Sequence, residues 1–399
     1  MTTSAKLASS NVFPGRDELV ARAAALQPLL RESAAESDVG RRLPDMVNDA
    51  LTEAGFFRLL TPKGFGGYES SLRVVIEVAE TLGAGDASAA WLVALTAGAC
   101  ALAGRAPVQA QQELFGSGPD LRVAGGLAPG VAVRVDGGVR MTGRWPYASG
   151  AHFATWASIS GAVTDESGAV IDVVMGFAPA SELTMEDTWH TVGMRGTGSN
   201  TWVGEDVFVP EHLLLSIPAV IDNSWPVAAA ESLSRIPLVP VAALMLLGPL
   251  LGAGQAALDL VIEQAPRKGM HQTFFASQSE SVGVQIQLGE AAMKLRAARL
   301  HAYDIADRLD AIATIGDVDH ETRARMKAQA GYAAQQVLQA IHELVNIHGA
   351  GSFAESSRMQ QIWRDANTAA RHAGLNAAVG YEVYGKALLN VQERITAMV

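Results

Sequence analysis

Residues 188–200 read TWHTVGMRGTGSN, and residues 203–209, VGEDVFV, follow them with alternating apolar and polar side chains. This alternation predicts a β-strand that leaves a glycine-rich loop. Glycines at 193, 196 and 198 let the backbone approach a phosphate or a ring edge closely. Glycine-rich connectors without a ligand are also common, so the loop alone does not establish a site.

The β-region extends outward from this loop, from about residue 121 to residue 214, and is rich in Val, Thr, Trp and Gly. Residues 131–136 and 139–142 alternate in the same way. Because Asp136-Gly137-Gly138 lies between them, we predict a hairpin there. Residues 161–168 predict a second connection between strands.

Helical patterns flank the β-region on both sides, and they predict a mainly α protein with a central β-domain. We divide the chain into an N-terminal helical domain at 1–120, a β-domain at 121–228 and a helical bundle at 229–399. The predicted helices cover 18–36, 43–55, 72–82, 87–103, 236–265, 278–312, 319–347 and, with a break, 355–398.

Composition narrows the classes of function. The 399-residue chain is 49% hydrophobic and 18% charged, with a formal net charge of −11, which suits a multidomain globular protein and disfavours nucleic-acid or anionic-membrane binding. Cys100 is the sole cysteine, so an intrachain disulfide or a multi-thiolate metal site is excluded, as expected in a reducing cytoplasm. No metal site is predicted.

Two segments superficially match a membrane span and a dinucleotide-binding motif, and we reject both assignments. Residues 236–258 carry no charge and could cross a bilayer, but prolines and glycines interrupt them, so we predict a buried core helix rather than a membrane span. Residues 252–257 superficially match a dinucleotide fingerprint, yet no strand precedes them.

The stretch at 188–200 and four other stretches of the chain match the motifs of one known superfamily, in the same order. The stretch at 188–200 closely resembles the β-domain exit of the acyl-CoA dehydrogenases, and 143–150, GRWPYASG, resembles the strand beside their flavin. Residues 55–67, 345–351 and the pair Arg364-Asp365 resemble their N- and C-terminal domains. The resemblance implies an acyl-CoA dehydrogenase fold: an N-terminal helical domain, a β-barrel-like middle domain and a C-terminal four-helix bundle.

Within that superfamily the chain is most similar to the two-component (group D) flavin monooxygenases. The dehydrogenases need a carboxylate base over the flavin, and the match places Ala373 where that glutamate would be. Glu263 and Glu290, on earlier helices, are the nearest substitutes. An acyl-CoA dehydrogenase with a relocated base therefore remains the alternative.

The resemblance implies an oxygenase component that uses reduced FMN or FAD (FMNH2 or FADH2) and O2 through a C4a-hydroperoxyflavin to hydroxylate an aromatic or heteroaromatic small molecule. His372 matches a histidine of these enzymes that acts as a base on the substrate or donates a hydrogen bond to the peroxide. On spacing alone, a core histidine is the simpler interpretation. Ser149 is the second predicted catalytic residue: its hydroxyl can bond flavin N5 or the peroxide, and the alternative is a turn former before Gly150.

The remaining predicted site residues fall into two groups, each with an ordinary structural alternative such as core packing or a loop. The predicted cofactor-binding residues are Trp145, Ser149, Arg195, Thr197, Ser199, Asn346 and His348. The predicted substrate-binding residues are Trp91, Tyr147 and His372. In the resembling enzymes the region of Asn346 and His348 reaches a flavin across a subunit interface. In this chain, Asn346 and His348 depart from the family's usual residues, and residues 271–277 lack the family's usual cofactor contact. Both departures suit a protein that takes up reduced flavin instead of keeping it tightly bound.

Partners and alternatives follow from the same resemblance. It implies a separate NAD(P)H:flavin reductase and a homotetramer in the cytoplasm, with neither nucleic acid nor membrane as a partner. N-oxygenation of an amino sugar and a non-catalytic binding role are the other hypotheses. The sequence does not identify the substrate.

Overall fold

The computed structural model describes residues 13–225, 236–315 and 318–399. Its N-terminal part is helical as predicted, and α3 and α4 begin at side-chain caps: the Ser71 hydroxyl accepts from Val74 N, and the Asp86 carboxylate accepts from Ser88 N. The helices of this part are α1 (Arg16–Gly40), α2 (Asp45–Glu53), α3 (Leu72–Gly83), α4 (Ala87–Ala103) and α5 (Val108–Leu114).

The β-region forms one seven-stranded sheet in the order β5-β6-β2-β1-β3-β4-β7. The predicted hairpin is confirmed, since β1 and β2 pair antiparallel with Val135 opposite Gly138. The strands are β1 (Val123–Val135), β2 (Gly138–Ala148), β3 (Trp156–Thr164), β4 (Val170–Pro179), β5 (Thr184–Glu186), β6 (Asn200–Pro210) and β7 (Leu214–Ser216).

The second predicted connection was placed partly wrongly. Gly161 lies inside β3, paired with Gly130 and Val174, and the turn begins only at Asp165, whose carboxylate accepts from Ser167 N and Ala169 N. A side chain at 161 would meet the Cβ of Ala132 at 2.7 Å, so close strand packing rather than a turn explains this glycine.

The sheet curls, as a barrel-like domain requires. A Cβ at Gly176 on β4 would lie 2.7 Å from Val209 on β6 and 3.3 Å from Met141 on β2, although these strands are not neighbours in the sheet. The two ends of the sheet therefore approach each other across a shared apolar core.

Helices return after the sheet, and α8, α9, α10 and α12 pack as a bundle. The predicted domain boundary at 228 lies outside the described residues. The helices of this part are α6 (Ile217–Ile221), α7 (Leu238–Met245), α8 (Leu247–Gln264), α9 (Val282–Ile315), α10 (His320–His348), α11 (Arg358–Ala369) and α12 (Ala377–Leu388).

The uncharged segment that we predicted to be a buried core helix forms α7 and α8, which are mostly buried. The run Leu238–Gln264 is long and apolar enough to cross a membrane, but 78% of its most apolar window is buried inside the protein. It packs against α3 and α4, with Gly248 against Ala79 and Gly252 against the Glu80 carbonyl. Its apolar character is thus used in joining the N-terminal domain to the bundle.

Candidate active site

The glycine-rich loop 189–199, which joins β5 to β6, is held by a buried carboxylate. Asp365 on α11 accepts a 2.6 Å hydrogen bond from Met194 N, and Asp365 is 4% exposed. Burial, together with the charge of Asp86, raises the pKa of Asp365 to about 7, and burial raises that of Asp86 to about 6. The loop is therefore anchored by an acid that is part-protonated near neutral pH.

Asp38, in the last turn of α1, fastens the same loop from the other side. Its carboxylate accepts two hydrogen bonds from Arg364, and its backbone carbonyl accepts from Arg195 Nε at 2.7 Å. Arg195 also donates to Thr191 O, and Arg364 to Val192 O. Arginine side chains thus tie the loop to both helical domains.

A chain of hydroxyls runs from this loop to the end of β2. Thr197 Oγ1 donates to Met194 O at 2.7 Å and lies 2.6 Å from Ser199 Oγ, which lies 2.7 Å from Ser149 Oγ. Since the Thr197 proton is used on the carbonyl, Ser199 must donate to Thr197, and Ser149 in turn to Ser199. Ser149 therefore presents lone pairs, and no proton, to whatever binds beside it.

That polarity suits a reduced flavin. The reduced ring carries N–H groups, and an acceptor hydroxyl at the end of a buried chain is a matching partner for one of them. Thr197 and Ser199 are 1% and 4% exposed, so the chain's direction is fixed from inside the protein. The hydroxyl set at Ser149 thus fits the cofactor that the resemblance implies.

His372 lies in the turn between α11 and α12. Its Nδ1 accepts from Gly374 N at 3.1 Å, so a neutral ring carries its proton on Nε2. His372 is an exposed residue whose ring packs against Trp91, and desolvation lowers its pKa below the usual histidine value. As placed, His372 is a neutral hydrogen-bond donor at Nε2, which favours the donor role over the base role among the two that we predicted.

Helix α4 links His372 to Ser149. The Trp91 ring is 6% exposed and meets the His372 ring edge-on, with centroids 6.0 Å apart. The next residue, Leu92, lies 3.3 Å from the position of a Cβ on Gly150, and Leu92 and Ser149 line one small recess. Consecutive residues of α4 thus contact both parts of the site.

Two predicted residues at the end of β2 face opposite ways. Trp145 is 0% exposed and its indole Nε1 donates to Ser160 O at 2.7 Å, so it is a core residue of the β-domain with no surface free for a cofactor. Tyr147 is 69% exposed and has a positive φ of 65°, which is rare for a bulky residue. Tyr147 lies two residues before Ser149, and its ring meets Trp189 edge-on, with centroids 6.2 Å apart.

Arg195, predicted to bind cofactor, has the structural contacts given above. Asn346 and His348 lie at the C-terminal end of α10. His348 Nδ1 lies 2.8 Å from Ser352 Oγ. Farther back along α10, Gly331 packs on Ala377, which follows the His372 turn. Seventeen residues of α-helix separate Gly331 from His348, which is about 25 Å.

The residues proposed as relocated bases lie on the surface. Glu263 pairs with Arg267 and its side chain is 71% exposed, and Glu290 is exposed on α9. Ala373 occupies the turn beside His372, as the motif match indicated. The structure therefore offers neither glutamate to the His372 region.

Sequence reasoning missed Asp38, Arg122 and Asn48. For Asp38 a signal existed: an acidic residue at a helix C-terminus opposes the helix dipole, so a partner cation is expected. Arg122 and Asn48, which line the recess beside Ser149, carried no signal in the sequence.

Comparisons with known proteins agree with this geometry. The family model for the acyl-CoA dehydrogenase C-terminal domain matches residues 244–377. The HsaA oxygenase subunit of a flavin-dependent monooxygenase from Rhodococcus jostii is 30% identical over 90% of this chain and 95% of its own. The oxygenase component of an FADH2-dependent resorcinol hydroxylase from Rhizobium sp. is 28% identical over 94% and 95%.

A solved structure extends the likeness to three dimensions. XiaF from Streptomyces sp., in complex with FADH2 and glycerol, superposes with a TM-score of 0.90 and 38% sequence identity, over 96% of this chain and 97% of that one. The predicted fold and enzyme class are thereby confirmed. The chain belongs to the oxygenase components of the flavin-dependent monooxygenases, which share the acyl-CoA dehydrogenase fold.

Proposed function

We propose that this oxygenase component hydroxylates an aromatic or heteroaromatic small molecule at the site between Ser149 and His372. The single observation that carries the proposal is that Trp91 and Leu92, consecutive on α4, contact His372 and the Ser149 region respectively. The relatives HsaA and resorcinol hydroxylase are named for flavin-dependent oxygenation, which supports the same reaction class.

Each side chain has a defined task in this proposal. Bound reduced flavin supplies the electrons that activate O2. Ser149 accepts a hydrogen bond from the reduced ring, and Thr197 and Ser199 keep its hydroxyl in that direction. His372 donates from Nε2 to an oxygen atom, and Trp91 walls that position from water.

The cofactor is reduced FAD or FMN, delivered by a separate NAD(P)H:flavin reductase. The FADH2 complex of XiaF and the FADH2-dependent hydroxylase favour FAD. Because the corresponding region of the resembling enzymes reaches a flavin across a subunit interface, we propose that Asn346 and His348 of a second copy bind the far end of the flavin. A cytoplasmic homotetramer is the arrangement that we propose.

Rapid mixing tests the proposal. The protein is combined with reduced FAD or FMN without air and mixed with oxygenated buffer and an aromatic panel, and H2O2 and oxygenated product are measured. Coupled product is expected. Flavin reoxidation at the rate of free flavin, with all O2 recovered as H2O2 for every compound, would contradict the proposal.

Two further experiments address the alternatives. In an acyl-CoA dehydrogenase, the absorbance of bound FAD would bleach when acyl-CoA is added. We do not expect bleaching here, because Glu263 and Glu290, the candidate bases, are exposed. An N-oxygenase of amino sugars needs no group that polarises an aromatic ring. A His372→Ala enzyme with undiminished turnover would therefore favour that reaction.

A further inference from the structure

A small recess opens beside Ser149, between the N-terminal helices and the β-domain. Its volume is about 10 Å³, enough for one oxygen-sized group. Phe57 and Leu92 form its apolar walls, and Asn48, Thr96 and Arg122 are its polar residues besides Ser149. Arg122 is the one charged side chain among the described residues that line it.

Among the residues that the structure describes, no carboxylate forms an ion pair with Arg122, although the charge of nearby Asp120 acts on it. Asp120 gives both carboxylate oxygens to Arg58, and Arg122 reaches only the Asp120 backbone carbonyl, at 3.2 Å. Its other hydrogen bond goes to Thr52 Oγ1 at 2.7 Å. These two bonds leave further N–H groups of the guanidinium for a ligand.

The surroundings of Arg122 raise the free-energy cost of burying its charge without an anionic partner. The guanidinium lies over the Phe57 ring, 3.2 Å from its centroid, and burial lowers the pKa of Arg122 to about 10. The group still carries its charge at neutral pH. A substrate that covered the recess with a neutral group would bury this charge further without compensation.

We propose that Arg122 binds an anionic oxygen of the aromatic substrate, a carboxylate or an ionised hydroxyl, which enters the recess while the ring lies toward Ser149. The inference rests on the proposed function, because it assigns the substrate class of that site. Arg122 then selects substrates: it favours an anion over its neutral twin of the same shape, and Asn48 completes the polar rim.

Dissociation constants of matched pairs test this without turnover. Flavin-loaded protein is titrated calorimetrically with 2-naphthoate against 2-naphthamide, and with 4-nitrophenolate against 4-nitroanisole at a pH where the phenol is ionised. The wild type is expected to bind the anion of at least one pair more tightly. Whichever pair responds identifies the anion as carboxylate or ionised hydroxyl.

Variants attribute the selectivity to Arg122. Arg122→Gln is expected to weaken the anion about 10- to 100-fold and its neutral twin less than twofold. Asn48→Asp keeps the side-chain shape and adds a carboxylate at the recess that competes for Arg122. It should also weaken binding of the anion more than binding of the neutral twin, and it provides a second test if Arg122→Gln folds poorly. Arg134→Gln, which removes an exposed pair with Glu211, is the matched surface control.

Two outcomes overturn the inference: no preference for either anion in the wild type, or equal losses for both members of a pair in the variants. Failure of the proposed function is recognised separately. An enzyme that oxygenates anionic and neutral twins equally well retains that function and overturns only the role of Arg122. Absence of oxygenation with selective binding intact contradicts the reaction and leaves the anion site standing.

Discussion

The glycine-rich loop at 189–199 and the turn at 370–376 both carry predicted site residues, but they are held in different ways. The loop is fixed by groups of two helical domains: the buried Asp365 and the part-buried Asp38 and Arg364 all bond to it. In the turn, the His372 ring is held only by a hydrogen bond from Gly374 N and an edge contact with Trp91, among the described residues. The flavin side of the site is therefore preorganised, whereas the substrate side can adapt.

The largest effect is expected where the loop meets α11. A Cβ at Gly193 would lie 2.2 Å from Arg364 O and 2.6 Å from Thr368 Oγ1, so Gly193→Ala must displace backbone. We expect it to lower the free energy of unfolding by about 1–3 kcal/mol and to abolish flavin binding. Denaturant unfolding and flavin titration measure both.

Gly385→Ala is the matched control, because nothing lies within 4 Å of a Cβ at this helical position. It should raise the free energy of unfolding by about 0.5–1 kcal/mol. If Gly193→Ala behaved like Gly385→Ala, the loop would not be rigidly packed, and the contrast between the two regions would be lost.

The next effect concerns Asp365. Asp365→Ala leaves Met194 N without its acceptor and is expected to cost about 1–3 kcal/mol, whereas Asp365→Asn keeps an acceptor oxygen and should cost less. Since the folded-state pKa is raised to about 7, the folded protein holds this proton more tightly than the unfolded chain. The stability that it contributes is present at low pH and is lost as the pH rises toward 7 and beyond.

Thermal unfolding between about pH 5 and pH 8 checks the sign. The decline of Tm with rising pH should be shallower in Asp365→Asn than in the wild type. Parallel curves would show that the carboxyl does not titrate in this window, and that the loop is anchored by geometry alone.

This contrast also explains what the sequence could predict. Local patterns predicted α4 at 87–103 and the hairpin at Asp136–Gly138, because caps, periodicity and turn residues lie next to one another in the chain. Trp145 and Arg195 were assigned to the cofactor because their motif carries it. Whether they face the flavin depends on Ser160 and Asp38, and only the folded chain brings those partners to them.

The recess shows the same limit more sharply. Asn48, Leu92, Arg122 and Ser149 come from α2, α4, the approach to β1 and the end of β2, and no spacing in the sequence connects them. The charge imbalance at Arg122 becomes visible only once Arg58 is seen to occupy Asp120.

On the adaptable side, His372→Gln is expected to reduce coupled product about 10- to 100-fold with little change in Tm, because the side chain is exposed. Desolvation lowers the pKa of His372, so the neutral ring that accepts from Gly374 N prevails at neutral pH. Activity should fall only as the pH drops below the usual histidine range. A pH profile of product formation, unchanged in His372→Gln, would contradict this role.

The smallest effect is expected at Tyr147. Asparagine tolerates a positive φ better than tyrosine, so Tyr147→Asn relieves backbone strain while it removes the edge contact with Trp189. The two changes oppose each other, and the free energy of unfolding should stay within about 1 kcal/mol of the wild type. Because the ring is 69% exposed beside the Ser149 strand, KM should rise while kcat stays nearly constant. A large fall in kcat with unchanged KM would instead place Tyr147 with the preorganised loop, and the boundary between the two regions would have to be moved.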